Sequence, residues 1–203
     1  MPGLLEKSPR NNVLQVHPKT GEVFLRLPAP NDNIVVTPPR PSDAQDIAAI
    51  MNDERVAMKF SIPPYPYTYE HAVSYLEAET ERHRNAVEEN GFFSECPVQV
   101  IRERRADGEE ILIGEAKFSR SKVYNVQDEE EARRLAQINY ARPVGDPEIV
   151  WTFMDYLAPS HHGKGIMSAV IKTIMDWAIP NLGVGNIIAI ALPTNTASIR
   201  VFE

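Results

Sequence analysis

Along this chain, short β-branched runs alternate with stretches whose apolar residues recur at helical spacing, and that alternation predicts a mixed α/β fold. Val13-Leu14-Gln15-Val16 and Val23-Phe24-Leu25-Arg26-Leu27 flank a turn with Pro18 and Gly21, and predict a small hairpin. Residues 1–12 are polar and read as a loosely docked tail, and Pro28 to Asn33 reads as a linker. The expected organisation is a tail and hairpin extension over 1–33 and one larger domain over 34–203.

Within the larger part, Ile34-Val35-Val36-Thr37 predicts a strand that Pro38 and Pro39 end. Ser42 is placed to cap a helix in which Ala44, Ile47, Ala48 and Met51 share a face. Val56-Ala57-Met58 predicts a short second piece. Ile62-Pro63-Pro64-Tyr65-Pro66-Tyr67 excludes regular helix and central strand, so it is a stiff loop, either packed on the surface or walling a substrate pocket. A long helix starts at Thr68, keeps Ala72, Leu76 and Glu79 in register, and runs to about Val87, ahead of Gly91. Val98 to Arg102 and Ile111 to Phe118 predict an antiparallel pair around the Asp107-Gly108 turn. Asp128 to Leu135, with acids ahead of arginines at helical spacing, predicts a solvated surface helix. Ile149 to Leu157 predicts a strand, and Met167 to Ala178 a helix that Pro180 should stop. Ile187 to Leu192 is apolar throughout and reads as a buried central strand. Thr196 to Glu203 begins a further helix.

The stretch from Leu157 to Ala169 carries the clearest chemistry. It joins a strand to a helix start through Pro159-Ser160-His161-His162-Gly163-Lys164-Gly165. The first N–H groups of a helix have no partner within it, and the positive end of the dipole lies there. Two glycines let a ligand approach the backbone, and Lys164 adds a full charge. The first reading is a pocket for a phosphorylated cofactor.

Bulk properties narrow the classes. A net charge of −7 argues against a general nucleic-acid binder but leaves room for an anionic cofactor held by local amides. Cys96 is the only cysteine, so no internal disulfide forms, which fits a reducing compartment. No apolar run approaches the ~20 residues that span a bilayer, and residues 1–15 lack the apolar block of a signal peptide. A cytoplasmic protein without membrane partners is expected.

Other chemistries fit poorly. The P-loop pattern is missing, and Gly163-Lys164-Gly165 is too short and too late for a dinucleotide fingerprint. His161-His162 is not a metal signature, since adjacent side chains diverge, and no metal is expected. Cys96 has no histidine close in sequence and reads as inert. The segment from Pro159 to Met167 and the segment Asn195-Thr196-Ala197-Ser198-Ile199-Arg200-Val201-Phe202-Glu203 together resemble the GNAT acetyltransferase superfamily. They are most similar to its ribosomal-protein N-terminal acetyltransferase branch. The likeness covers roughly Ile34 to Glu203.

The resemblance implies a central mixed, mostly antiparallel sheet flanked by helices, with acetyl-CoA as co-substrate in a gap between two strands. It implies direct transfer of acetyl to an amine of a small molecule or a protein N-terminus. Cofactor contacts are expected from Tyr156, Leu157, His162, Gly163, Lys164, Gly165, Ile166, Met167, Ser168 and Asn195. Met167 stands where the family has a small residue; it either narrows the site or points away while its N–H still serves. Many members place a thiolate-protonating tyrosine where this chain has Phe202, so Ser198 becomes the candidate thiolate partner, with Asn195 a pantetheine contact, a helix cap, or both. Glu115 is the first candidate base, against the reading of a solvent-facing edge-strand carboxylate; Asp155 is the second, or a site for the acceptor amine. The family continues with two further strands. A chain ending at Glu203 would lack them and would expose apolar surface, unless a partner or a second copy, as in a homodimer, covers it. The alternative to an enzyme is a non-catalytic CoA-binding or interaction module of the same shape, suggested by Met167 and Phe202.

Overall fold

The computed structural model describes residues 14–60, 62–88, 93–122, 126 and 128–203. The expected tail, Val13 and Gly91 lie outside these residues. Among the described residues, β-branched and aromatic runs form a sheet of seven strands: β1 (Leu14–Val16), β2 (Val23–Arg26), β3 (Ile34–Thr37), β4 (Val100–Arg104), β5 (Glu110–Arg120), β6 (Val150–Leu157) and β7 (Asn186–Ile188). Spatial order follows chain order, and every pair is antiparallel except β6–β7. The hairpin is not detached from the rest. β2 pairs with β3 through Leu25↔Val36 and Arg26↔Val35, and Leu14, Leu25 and Leu27 join the main core.

Helices cover both faces. They are α1 (Ala44–Met51), α2 (Glu54–Ala57), α3 (Tyr69–Glu88), α4 (Glu129–Ala141), α5 (Ile166–Leu182) and α6 (Thr196–Phe202). On one face, Ile166, Met167, Val170, Ile174, Trp177 and Leu182 of α5 pack on Ile101, Ile113, Phe118 and Trp151. On the other, Ala44, Ile47 and Met51 of α1 and Ala72 and Leu76 of α3 pack on Val100, Leu112 and Tyr156. Polar groups inside the second face are matched in detail. Asp43 and Arg102, both almost fully buried, form a bidentate pair at 2.9 and 2.8 Å, and Arg102 Nε also donates to Thr37 Oγ1. A pair so desolvated holds only because its remaining hydrogen-bonding capacity is met.

Four local expectations need correcting. Asp43, not Ser42, is the residue before α1; Pro41–Asp43 forms a short 3-10 turn, closed by the Arg40 N–H donating to Asp43 Oδ2. Pro180 does not stop α5. It sits in the last turn, and the helix ends at Gly183, whose left-handed backbone donates to Ile179 O. Ile187 to Leu192 is not a buried central strand. Only Asn186–Ile188 pairs, at the sheet edge, and Ile187 and Ile190 are 42 and 62% exposed. Glu115 is not an edge carboxylate in solvent, since it lies in the interior strand β5 and is 1% exposed. By contrast, α4 is a largely exposed helix, capped by Asp128 and tied down at its far end by Asn139, which bonds Val150 and Ser121.

Gly114 allows the closest approach in the sheet. A Cβ there would lie 2.2 Å from Tyr156 O and 2.9 Å from Leu157 Cα. Both obstacles include backbone of β6, which cannot swing aside as a side-chain tip can. Gly114→Ala is therefore expected to destabilise the protein by about 2–4 kcal/mol, read as a lower urea midpoint at unchanged m-value.

Candidate active site

β6 and β7 run in parallel only from Val150↔Asn186 to Thr152↔Ile188. Thr152 Oγ1 donates to Ile188 O at 2.8 Å, the last tie between them. The pairing ends there with β7 itself, while β6 runs on to Leu157, and a cavity of about 420 Å³ is lined by the C-terminal end of β6. Its floor is Asp155, Tyr156 and Leu157. One wall is the turn into α5, a second is the start of α6, and a third is α2 with the residues that follow it.

The turn is built as an anion cradle. Gly163 and Gly165 have φ of 70 and 72°, in the region where only glycine is unstrained, and Gly165 stands at the N-cap of α5 with no side-chain cap. The N–H groups of the first turn of α5 therefore have no side-chain acceptor at the N-cap. His162 Nε2–H donates to Leu157 O at 2.8 Å and ties the turn to β6. His161 Nδ1 shares a hydrogen bond with Ser160 Oγ at 2.9 Å, and its Nε2 faces Glu103 of β4 at 3.6 Å. Nine of the ten residues expected to contact a cofactor line the cavity; Lys164 is exposed and does not. Met167 contributes to the wall, but it is 7% exposed and packs in the main core.

The candidate catalytic residues separate. Ser198 lines the cavity in the first turn of α6, and its N–H donates to Asn195 Oδ1 at 3.3 Å, so Asn195 caps the helix and faces the cavity together. Asp155 also lines the cavity. It is half-buried, makes no hydrogen bond or ion pair among the described residues, and is pushed up to about 6 by desolvation alone. Glu115 lies elsewhere. On β5 it pairs with Tyr156, so its side chain falls on the α1/α3 face of the sheet, whereas Asp155 pairs with Ala116 and falls on the α5 face. Glu115 Oε1 accepts from Tyr75 and Gln99, each at 2.6 Å. Its other oxygen and the Tyr156 hydroxyl share the buried space without a well-formed hydrogen bond. Burial raises the Glu115 carboxyl despite the two donors. The expected loop Pro63–Tyr67 does not line the cavity; Tyr67 turns inward against Asn52, and Phe60 supplies the aromatic wall instead.

Three cations on the cavity walls were not anticipated: Arg55, Lys59 and Arg200. Arg55 is held by Asp53, with Nε and Nη2 donating at 2.9 and 2.7 Å. The only sequence signal for them was a spacing of four between Arg55 and Lys59 near a predicted helix start. Among the described residues no cluster of three metal-ligating side chains occurs, and no helix is long and apolar enough to cross a membrane.

A profile of the Acetyltransferase (GNAT) domain matches residues 33–203. The chain belongs to the GNAT acetyltransferase family. No curated protein sequence matches it. Solved structures of this GNAT fold include an acetyltransferase from Bacillus anthracis, 15% identical, covering 88% of this chain and 80% of that one at a TM-score of 0.57. The ribosomal-protein-S5-alanine acetyltransferase of Vibrio fischeri is 19% identical, covers 84% of this chain and 76% of that one, and gives 0.54. Mycobacterium smegmatis RimJ in complex with CoA-disulfide is 20% identical, covers 89% and 72%, and gives 0.53. At these identities the likeness is one of fold, and it matches the mostly antiparallel sheet with flanking helices expected for a GNAT protein.

Asp155 gives a test independent of turnover. Its folded pKa of about 6 lies above the ordinary 3.8, so its neutral form favours folding fully below pH 3.8, and that contribution is lost as pH rises through 6. Ionised Asp155 thus costs stability at neutral pH. Asp155→Asn is expected to raise stability by about 1–2 kcal/mol at pH 7.5, after allowance for its partial exposure, and to change it little at pH 4. Urea melts at the two pH values check this; an equal gain at both would remove the titration argument.

Proposed function

We propose that this GNAT protein is an acetyl-CoA-dependent N-acetyltransferase that transfers acetyl directly to an amine, on a small molecule or a protein N-terminus, in the cytoplasm. One observation carries the reading: a single cavity joins an open helix N-terminus to an unpartnered carboxylate and a serine hydroxyl. The residues fit the cofactor. The α5 amides and Gly163 to Ser168 suit a pyrophosphate, and the early end of β7 leaves the outer edge of β6 without a strand beside Asp155 to Leu157. Acetyl-CoA supplies an activated acetyl thioester with a thiolate leaving group.

The remaining steps fall to this chain. Asp155, desolvated and without a partner, attracts an ammonium and takes its proton directly or through water, which leaves a neutral nucleophile. The Leu157 N–H, on the edge of β6 turned away from β5, donates to the carbonyl oxygen as negative charge develops there. The amine would form its bond to the acetyl carbon as the C–S bond breaks, and the second proton it sheds would pass through water or the Ser198 hydroxyl to the departing sulfur, giving the amide and the free thiol. Ser198 donates a hydrogen bond to the departing sulfur, a role Phe202 cannot take because a phenyl ring carries no donor. Glu115 acts from behind, setting the field under Tyr156 from the opposite face.

Phe202 also keeps a second reading open, a CoA-binding module without turnover, because it places no phenol in the cavity. Calorimetry with CoA and a thiol-release assay over a panel of amines separate the two. The enzyme reading expects CoA binding and turnover, with Ser198→Ala lowering kcat by about 10–100-fold at nearly unchanged KM and with the rate rising through pH 6. A folded sample that binds no CoA sinks both readings; binding without turnover on any amine leaves the module.

A further inference from the structure

The open helix N-terminus accounts for one phosphate-binding element, yet the same cavity is bordered by three cationic side chains that are not part of it. Arg55 and Lys59 stand a turn apart on α2 and the residues after it, and Arg200 faces the cavity from α6. Lys59 and Arg200 are exposed and make no ion pair among the described residues. Arg55 is aimed by Asp53, whose carboxyl is drawn down to about 2 chiefly by the Arg55 guanidinium; Asp53 also lies close enough to His162 to feel its charge. The start of α2 is thereby placed beside the anion turn. Against these cations the cavity is lined by one carboxylate, Asp155, which forms no ion pair among the described residues. In a chain of net charge −7, such a local excess of positive charge favours a polyanion.

We infer that Arg55, Lys59 and Arg200 form a second phosphate subsite, separate from the α5 amides, which takes the 3′-phosphate of the cofactor. A phosphate monoester is dianionic near neutral pH and presents oxygens on every side, so it suits flexible cations on two walls better than it suits a fixed row of amides. A pyrophosphate has the opposite preference, since its oxygens can lie along a helix start. The inference rests on the cofactor reading above. A phosphorylated acceptor amine would present the same chemistry to the same cations.

Dephospho-CoA, which lacks only the 3′-phosphate, separates these sources. In calorimetry at low salt, the wild-type protein is expected to bind CoA about tenfold more tightly than dephospho-CoA. Lys59→Gln and Arg200→Gln should each reduce that ratio, and the double variant should bring it close to one, with dephospho-CoA affinity nearly unchanged. Adenosine 3′,5′-bisphosphate should compete with CoA better than adenosine 5′-monophosphate in the wild type, and lose that advantage in the double variant. Both positions are exposed, and circular dichroism confirms folding. A wild-type ratio near one, or a ratio that survives the double substitution, overturns the subsite, as does an equal loss of both ligands. Failure of wild type to bind CoA at all overturns the cofactor reading instead.

Discussion

The end of β7 at Ile188, opposite Thr152 and five residues before β6 ends at Leu157, is the constraint on which the site depends. Up to that point the two strands form an ordinary parallel pair, bridged by α5. Past it, β6 continues to Leu157 with a strand on one side only, where β5 holds it from Arg120↔Trp151 to Gly114↔Leu157. A strand edge left unpaired is costly unless something occupies it. Here the open edge borders a cavity, so free backbone donors, a desolvated carboxylate and a helix N-terminus meet in one place. The close seat of Gly114 against Tyr156 and Leu157 serves the same geometry, since it lets β5 grip the last residues of β6 from the far side.

The pleat then assigns different work to two carboxylates of similar sequence appearance. Asp155 and Glu115 sit on adjacent strands, offset by one residue in register, and that offset sends them to opposite faces. Burial raises both pKa values. Glu115 is held between Tyr75, Gln99 and Tyr156, in a space that reaches on through Gln99 to His83, itself lowered to about 4 by burial. Such a group is fixed and cannot touch a ligand without rearrangement. Asp155 has no bonding partner among the described residues and a cavity in front of it. Similar desolvation therefore leaves one acid enclosed and the other facing a cavity; what differs is access.

Much of this was legible in the chain. The strand–turn–helix from Ile149 to Ala178 needed only an apolar run, two glycines and helical spacing, all local properties, and the Asp107-Gly108 turn was equally plain. What escaped was everything set by sheet order. Ile187 to Leu192 has the composition of a strand covered on both sides, but composition does not say which strand lies at an edge. Glu115 looked like an edge carboxylate because its burial comes from Tyr75 and Gln99, distant in sequence. Arg55, Lys59 and Arg200 are ordinary surface cations until α2 and α6 are brought to the two sides of one cavity. Pro180 misled for a local reason. A proline in the last helical turn forfeits one hydrogen bond, a loss that the close packing of Trp177, Ala178 and Leu182 outweighs.

The two departures from the family pattern, Met167 and Phe202, have different consequences. A small residue is wanted in the anion turn so that phosphates can reach the backbone, which is a demand on direction as much as on size. Met167 sends its side chain into the core beneath α5, so its N–H can remain on the helix start without the thioether in the way. Phe202 replaces a chemical function, and packing cannot restore it, since a phenyl ring, here tilted against Phe153, has no hydroxyl proton to give. The burden shifts one turn back, to Ser198, whose hydroxyl has no partner among the described residues and whose N–H is already held by Asn195. The first change thus leaves the helix start open by geometry, while the second removes a proton donor that, under the proposed mechanism, only Ser198 stands ready to replace.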